Sequence, residues 1–343
     1  MFIDFGKNSV QDSQLKESQL ISDFYIKELP GDSSHNMNIV GLHKKTELIW
    51  NRLSHMYAHG RCDIVKCGYE KDGASLNRKP MSNPTKDQTN IYLSSTLSDS
   101  DLPTSDLPIS DLPQDSVSTS QKAYITNTLD FIPKDVFHST DFDQIGVIGI
   151  QKHLSKLSDF DSCSHSLFNF MRLADVRHDI NIAEVILRET TEVVFDMNAI
   201  RYADIPDQNQ SASTGLYMEE ACQLMKYLGA NSHLTSLEMT HINFENASES
   251  KYYDIISTLL WYFIEGMSYR SPSQINESDK KEYLVYPEGV ENPIRFFNEN
   301  LTNRWWCSTF ESEEALVACS PSDYENAKNG RFSDRMMKIL ELY

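Results

Sequence analysis

EVVFDMNAIRYADIP, residues 192–206, opens as a short β-branched and apolar run, reaches an aspartate and then turns polar. An unbroken apolar run of that length fits a strand buried on both faces of a parallel sheet. In such sheets ligands and reacting groups sit just past the carboxyl ends of the strands, so Asp196, at the tip of the run, points to where chemistry would be done.

Outward from this run, strand and helix alternate. Towards the C-terminus, Gly215 to Leu228 is amphipathic, with Leu216, Cys222 and Met225 on one side, and Gly229 stands where a C′ glycine would close the helix. LTSLEMTHI (234–242) reads as the next strand, and Tyr252 to Met267 as an apolar helix. Towards the N-terminus, Ile182 to Arg188 is a helix feeding the central strand, IGVIGI (145–150) is a buried strand, and SHSLFNFMRL (164–173) predicts a short helix. Further back, MNIVGL (37–42), a helix over 44–57 carrying Leu48, Ile49, Leu53 and Met56, and CDIVKC (62–67) form a β, α, β unit. Its crossover helix implies a parallel pair. TNIYLSSTL (89–97) adds one more strand.

One segment breaks the alternation. In SDSDLPTSDLPISDLPQDSVSTSQ the unit SDLP occurs three times, with Asp101, Asp106 and Asp111 each followed by Leu and Pro. Proline every five residues forbids helix and central strand, and so acidic and serine-rich a run cannot bury enough apolar surface to offset ordering. A solvated insertion is favoured over a docking tail or a calcium-binding run. The expected organisation is therefore residues 1–97 as the N-terminal part of one α/β domain, 98–120 as the insertion, 121–270 as its main part, and 271–343 as a C-terminal extension packed on it. That extension carries YLVYP, IRFF and RWW runs and a helix-like end, DRMMKILELY. The adjacent Trp305 and Trp306 read as packing the tail onto a core.

The 343 residues carry 31 Lys and Arg against 50 Asp and Glu, a formal net charge of -19. Phosphate binding needs clustered cations, so a duplex nucleic-acid partner is not expected. No run approaches the ~20 consecutive apolar residues of a membrane span, and MFIDFGKNSV lacks a signal-sequence pattern. Six widely spread cysteines, at 62, 67, 163, 222, 307 and 319, without a CxxC pair, fit a reduced, cytoplasmic setting.

FDMNAIRYADIP, then GLYMEEACQLMKYLG, LTSLEMTHINFE and STLLWYFIEGM, with a late Arg304-Trp305-Trp306, follow one another in an order that resembles the ureohydrolases. These are the arginases, agmatinases and formimidoylglutamases, and the likeness is nearest to their bacterial formimidoylglutamase-like branch. It runs from about Ile145 to the C-terminus. The resemblance implies a three-layer α/β/α sandwich with a mainly parallel sheet, here with a shortened N-terminal half. It also implies two manganese ions at the strand ends and a bridging hydroxide that attacks an amidine carbon. Trimers or hexamers are common in the family, so a homo-oligomer or another protein partner is expected on that ground.

The residues at the family's ligand positions depart from this pattern. Of the two aspartates in its last metal motif, the first is matched by Asp196 and the second is Asn198, a neutral and weaker ligand. The earlier Asp-x-His-x-Asp motif has its best counterpart in LSSTLSD, which puts Ser94, Thr96 and Ser98 at those positions. No Gly-Gly occurs in the chain to supply the family's Gly-Gly-x-His loop, and only 22 residues separate CDIVKC from NIYLSS. The acidic residue that would meet the substrate's cation is replaced by His241. A two-manganese cluster is therefore not expected, and Asp196 and Asn198 stand as vestigial metal positions.

Two readings follow from this. One is a catalytically degenerate ureohydrolase homologue acting as a binding or structural subunit. The other is a divergent metal-dependent hydrolase of a C–N bond in formimidoylglutamate, arginine or agmatine. Asp196 and His241, at the ends of two strands, could also form an acid/base dyad or a residual metal pair. The blander reading of Asp196, a carboxylate capping the loop that follows it, is favoured. Arg201 and Asp204 read as an ion pair on that loop, Cys222 as core, and Tyr252, Tyr253, Trp261, Tyr262 and Phe263 as core or subunit contact.

Overall fold

The computed structural model describes residues 5–7, 24–26, 36–41, 43, 45–53, 56, 64–69, 88–95, 121–138, 144–162, 168–206, 208, 211–244, 251–270, 280–287, 293–300, 302–308 and 316–340. The SDLP insertion expected at 98–120, together with Thr96, Ser98, Cys62 and Cys163, lies outside the described residues.

A short antiparallel ribbon, β1 (Phe5–Lys7) with β2 (Phe24–Ile26), precedes the main sheet. The main sheet is built from β3 (Asn36–Gly41), β4 (Ile64–Tyr69), β5 (Gln88–Leu93), β6 (Gln121–Ile125), β7 (Gln144–Ile150), β8 (Phe168–Arg172), β9 (Glu192–Asp196) and β10 (Ser236–Thr240). Its order is β4-β3-β5-β10-β9-β6-β7-β8, and every neighbouring pair is parallel. The β, α, β reading of the N-terminal segment holds: α1 (Thr46–Leu53) connects β3 to β4, with Ile39 paired to Cys67.

The central strands are apolar on both faces because both faces are covered. On one face, Ile91, Ile125, Val193, Phe195, Leu237 and Met239 join a core with α1, α5 (Met218–Ala230) and α6 (Lys251–Met267). On the other, Tyr124, Val147 and Val194 pack with the 3-10 turns at Leu129–Phe131 and Lys134–His138. The first core also takes in Leu173 and Val176 of α3 (Leu173–His178) and Ala183 and Leu187 of α4 (Asn181–Leu187), and Phe160 of α2 (Leu157–Ser162) packs on the second.

Of the helix expected at 164–173, residues 164–167 lie outside the described residues, and the rest is instead the edge strand β8 followed by the start of α3. Phe168 feeds one core and Met171 the other, while Phe168 and Phe170 stack on the same side with centroids 5.7 Å apart. That is period-2 geometry, and pairing with β7 over-rode the short apolar cluster's helical look. Gly229 is also not a C′ residue, since α5 runs through it to Ala230.

The C-terminal runs form a second, antiparallel sheet, β11 (Lys280–Val285), β12 (Ile294–Glu299), β13 (Trp305–Ser308) and β14 (Leu316–Cys319), with α7 (Pro321–Lys328) and α8 (Asp334–Ile339). It has its own core, Val285, Ile294, Phe296, Cys307, Cys319, Ala327, Met336 and Leu340. Trp305 stacks on both Tyr283 and Tyr324 within this sheet's own core, and the Arg188 guanidinium lies over the Trp306 ring, 4.9 Å from the ring centroid. Arg188 also donates to the Trp305 carbonyl (2.7 Å) and Arg304 pairs with Glu184 (3.2 Å), which ties β13 to α4. Among the described residues no helix is long and apolar enough to cross a membrane.

Candidate functional site

The carboxyl ends of β5, β10, β9 and β6 come side by side in the middle of the sheet, and the parallel register sets Asp196 next to Thr240. Each of these strands stops where its apolar run gives way to polar residues: Ser94 after β5, His241 after β10, Asn198 after β9, and Thr126 and Asn127 after β6.

Asp196 is 1 % exposed and both of its carboxylate oxygens are taken up by the chain. Oδ1 accepts the Asn198 backbone N–H (2.8 Å) and lies 3.0 Å from His241 Nδ1, and Oδ2 accepts the Thr126 hydroxyl (3.0 Å). The first of these bonds caps the 3-10 turn Met197–Ala199, the loop-capping role favoured from sequence. The second of these contacts fixes the imidazole: a carboxylate oxygen only accepts, so Nδ1 carries the proton and, in the neutral ring, Nε2 the lone pair.

His241 itself is left-handed, with φ 57°, a region a residue with a Cβ enters at a cost of about 1–2 kcal/mol. It is held there from two sides, by Asp196 on its ring and by Gln208 Nε2, which donates to its carbonyl (2.6 Å). Its side chain is 25 % exposed and Phe131 packs against the ring, with centroids 4.8 Å apart.

Gln208 extends this into a network. Its Nε2 also donates to Asn198 Oδ1 (2.7 Å), while its Oε1 accepts the Tyr252 hydroxyl (2.7 Å). Tyr252 in turn accepts the Asn243 N–H (2.6 Å), and Asn127 Nδ2 donates to the Asn198 carbonyl (2.8 Å). Asn198, Gln208 and Tyr252 are all buried. Asp196, Asn198 and His241, the three site residues expected from sequence, are thus brought together. Thr126, Asn127, Gln208 and the hydroxyl of Tyr252 are additional members that the sequence did not single out. The only signal for them was a polar residue at the end of an apolar strand, as at Thr126, or a hydroxyl on an apolar helix, as at Tyr252.

The donor set does not fit a pair of manganese ions. Hard divalent cations at such a site need several carboxylate and imidazole ligands with free lone pairs. Here Asn198 Oδ1 and both oxygens of Asp196 already accept hydrogen bonds. Ser94, the described member of the Ser94, Thr96, Ser98 set, donates its hydroxyl to Glu238 (3.1 Å). Among the described residues no three His, Cys, Asp or Glu side chains gather as a metal-binding group.

The other candidates fall as read. Arg201 binds Asp204 through two bonds of 2.8 Å, Asp204 also accepts the Met218 N–H (3.0 Å), and the pair anchors the loop after β9 to the start of α5. The Tyr217 ring lies against Arg201 (4.2 Å) and Arg177 (4.3 Å). Cys222 is buried, and burial pushes its thiol up to about 12, which excludes a nucleophile at neutral pH. Tyr253 and Phe263 are fully buried, with Trp261 and Tyr262 packed on the same core.

No known protein-family profile matches the sequence, and no curated protein does. Solved structures do match by shape. A Trypanosoma cruzi formiminoglutamase with two manganese ions at pH 8.5 superposes with a TM-score of 0.58 at 12 % identity, over 69 % of this chain and 94 % of that one. The same enzyme with two manganese ions at pH 6.0 gives 0.57 at 13 % identity, over 71 % and 96 %. Formimidoylglutamase from Bacillus subtilis gives 0.53 at 13 % identity, over 78 % and 98 %. At these identities the likeness is one of fold. It agrees with the parallel eight-stranded sheet and with the order of segments that begins at FDMNAIRYADIP. The chain has an arginase-like α/β fold.

Proposed function

We propose that this chain is a catalytically degenerate member of the ureohydrolase fold that works as a binding or structural subunit and holds no two-manganese cluster. The observation that carries this reading is the poverty of the donor set at the strand ends: Asp196 stands there with the neutral Asn198 and a single imidazole, His241, and three of its ~four acceptor sites are already used by Thr126, the Asn198 amide and His241. Asn198 and His241 remove negative charge at two points where a cationic amidine would need it. The buried free thiols Cys222, Cys307 and Cys319 favour a reducing, cytoplasmic setting, and the net charge of -19 disfavours nucleic acid as a partner.

Calorimetric titration of the purified protein with manganese, followed by assays with arginine, agmatine and formimidoylglutamate, tests the reading. The expected result is no tight two-site binding and no hydrolysis. Micromolar binding of two ions that is abolished by Asp196→Ala, or manganese-dependent turnover of any of the three, would overturn it.

A further inference from the structure

We infer that Gln208 is the residue that ties the strand ends together: its carboxamide takes the polar centre of the site and positions His241. The inference rests on the reading that no metal pair is held there. Gln208 is 3 % exposed and belongs to no helix or strand, yet it uses three hydrogen bonds to join three separate parts of the chain. These are Asn198 in the loop after β9, the His241 carbonyl after β10, and Tyr252 in the first turn of α6. In a metal enzyme of this shape, charge attraction to a cation would draw strand ends and ligand loops together. Here a neutral amide with two donors and one acceptor does so, and it matches its neighbours: two carbonyl-type acceptors face its NH2 and one hydroxyl faces its oxygen. Because the bond to the His241 carbonyl helps hold that residue at φ 57°, it also aims the imidazole at Asp196. Asn198 Oδ1, the His241 carbonyl and Asp196 Oδ1 already accept hydrogen bonds within the chain, so a guanidinium seeking those acceptors would have to displace one of these partners.

The test is a double-mutant cycle of Gln208→Ala and Tyr252→Phe in the full chain, read by thermal unfolding and by the proton NMR signal of the His241 Nδ1–H, which a carboxylate partner shifts downfield. Gln208→Ala should lower the unfolding midpoint by several degrees and should weaken or move the His241 signal. A role in stability alone would leave that signal where it is. Tyr252→Phe should cost clearly less in the Gln208→Ala background than in the unmodified protein. Should Gln208→Ala not fold, Gln208→Glu keeps the shape and the acceptor for Tyr252 but loses both donors, and the same change in the His241 signal is expected. Additive effects with an unmoved His241 signal would overturn the inference. Parallel runs with chelator and with manganese separate it from the reading beneath it. A midpoint raised by manganese would sink both, whereas additivity without any manganese response would sink only the role of Gln208.

Discussion

Gly229 of α5 and Gly266 of α6 face each other so closely that neither could carry a side chain. A Cβ on Gly229 would stand 2.0 Å from the Phe263 carbonyl oxygen, and one on Gly266 2.2 Å from the Lys226 carbonyl oxygen. Neither glycine is left-handed, so intrinsic propensity alone would favour alanine at Gly229 by about 0.8–1.0 kcal/mol. Packing acts in the opposite direction, because backbone cannot yield as a side-chain tip can, and overpacking of this kind costs about 1–3 kcal/mol or more. Gly229→Ala should therefore destabilise the protein, by at least ~1 kcal/mol net, in denaturant unfolding. A stabilised variant would mean that the two helices are not in backbone contact.

The same glycine shows where sequence reading stops. The amphipathic period of Gly215 to Leu228 is local, so α5 was legible, but the reason for Gly229 lies on a helix more than thirty residues away. The strands β9 and β10 and the helix α6 were legible for the same local reason, since each sits in an apolar or amphipathic run with one period. β8 was not, because its neighbourhood's apolar residues, Phe168, Phe170, Met171 and Leu173, fall at spacings of both two and three and fit period 2 and period 3.6 alike. In the site, Asp196, Asn198 and His241 could be found because each falls at the end of a recognisable strand. Gln208 sits in a polar loop whose sequence, DQNQS, has no period, and its partners are 10, 33 and 44 residues away along the chain. Only the fold brings them together.

Acid should loosen the loop after β9 before it unfolds the sheet. The Arg201 guanidinium hydrogen-bonded to Asp204, helped by the Met218 amide, holds the Asp204 carboxyl below the usual carboxylate range against the opposing effect of burial. A carboxyl whose folded value is depressed contributes stability that is fully present above its unfolded value, about 3.9, and is lost as pH falls through the folded one. Asp204→Asn should therefore lower the unfolding midpoint at neutral pH and flatten its dependence on pH below about 4. An acid limb as steep as that of the unmodified protein would show that the pair is not linked to folding.

Thiol chemistry should discriminate among the cysteines. With its thiol pushed up to about 12 by burial, Cys222 has almost no thiolate at pH 8, and reagent access is blocked as well. Cys319, wholly buried beside Cys307, is raised well above the ordinary thiol value for the same first reason. Native alkylation with iodoacetamide at pH 8, mapped by peptide mass spectrometry, should leave Cys222 and Cys319 unmodified, and both should react fully once the chain is denatured. Rapid native labelling of Cys222 would contradict its place in the core between α5 and the sheet.

Placing an acidic residue at position 241, where the resemblance to the ureohydrolases implies one, should not confer turnover. A guanidinium is cationic at neutral pH, so its pocket needs a fixed negative partner, and a charge-assisted pair of that kind contributes about 1.5–3 kcal/mol. An imidazole in its neutral form offers one hydrogen bond at most, and in its charged form it repels the ligand. Yet His241→Glu meets two obstacles that the structure supplies. The position is left-handed, where a side chain is strained, and the new carboxylate would face the buried carboxylate of Asp196 at the place where an imidazole N–H now donates to it. Adding Asn198→Asp brings in a third acid that still accepts the Gln208 amide, so the hydrogen bonds that occupy the centre persist. Both variants should therefore be less stable than the unmodified protein, the double variant more so. Neither should hydrolyse arginine, agmatine or formimidoylglutamate with manganese added. Strong activity from His241→Glu alone would mean that a hydroxide-generating metal site survives in residues beyond this cluster. It would also mean that the residue at 241, rather than the ligand set, decides whether an amidine is turned over.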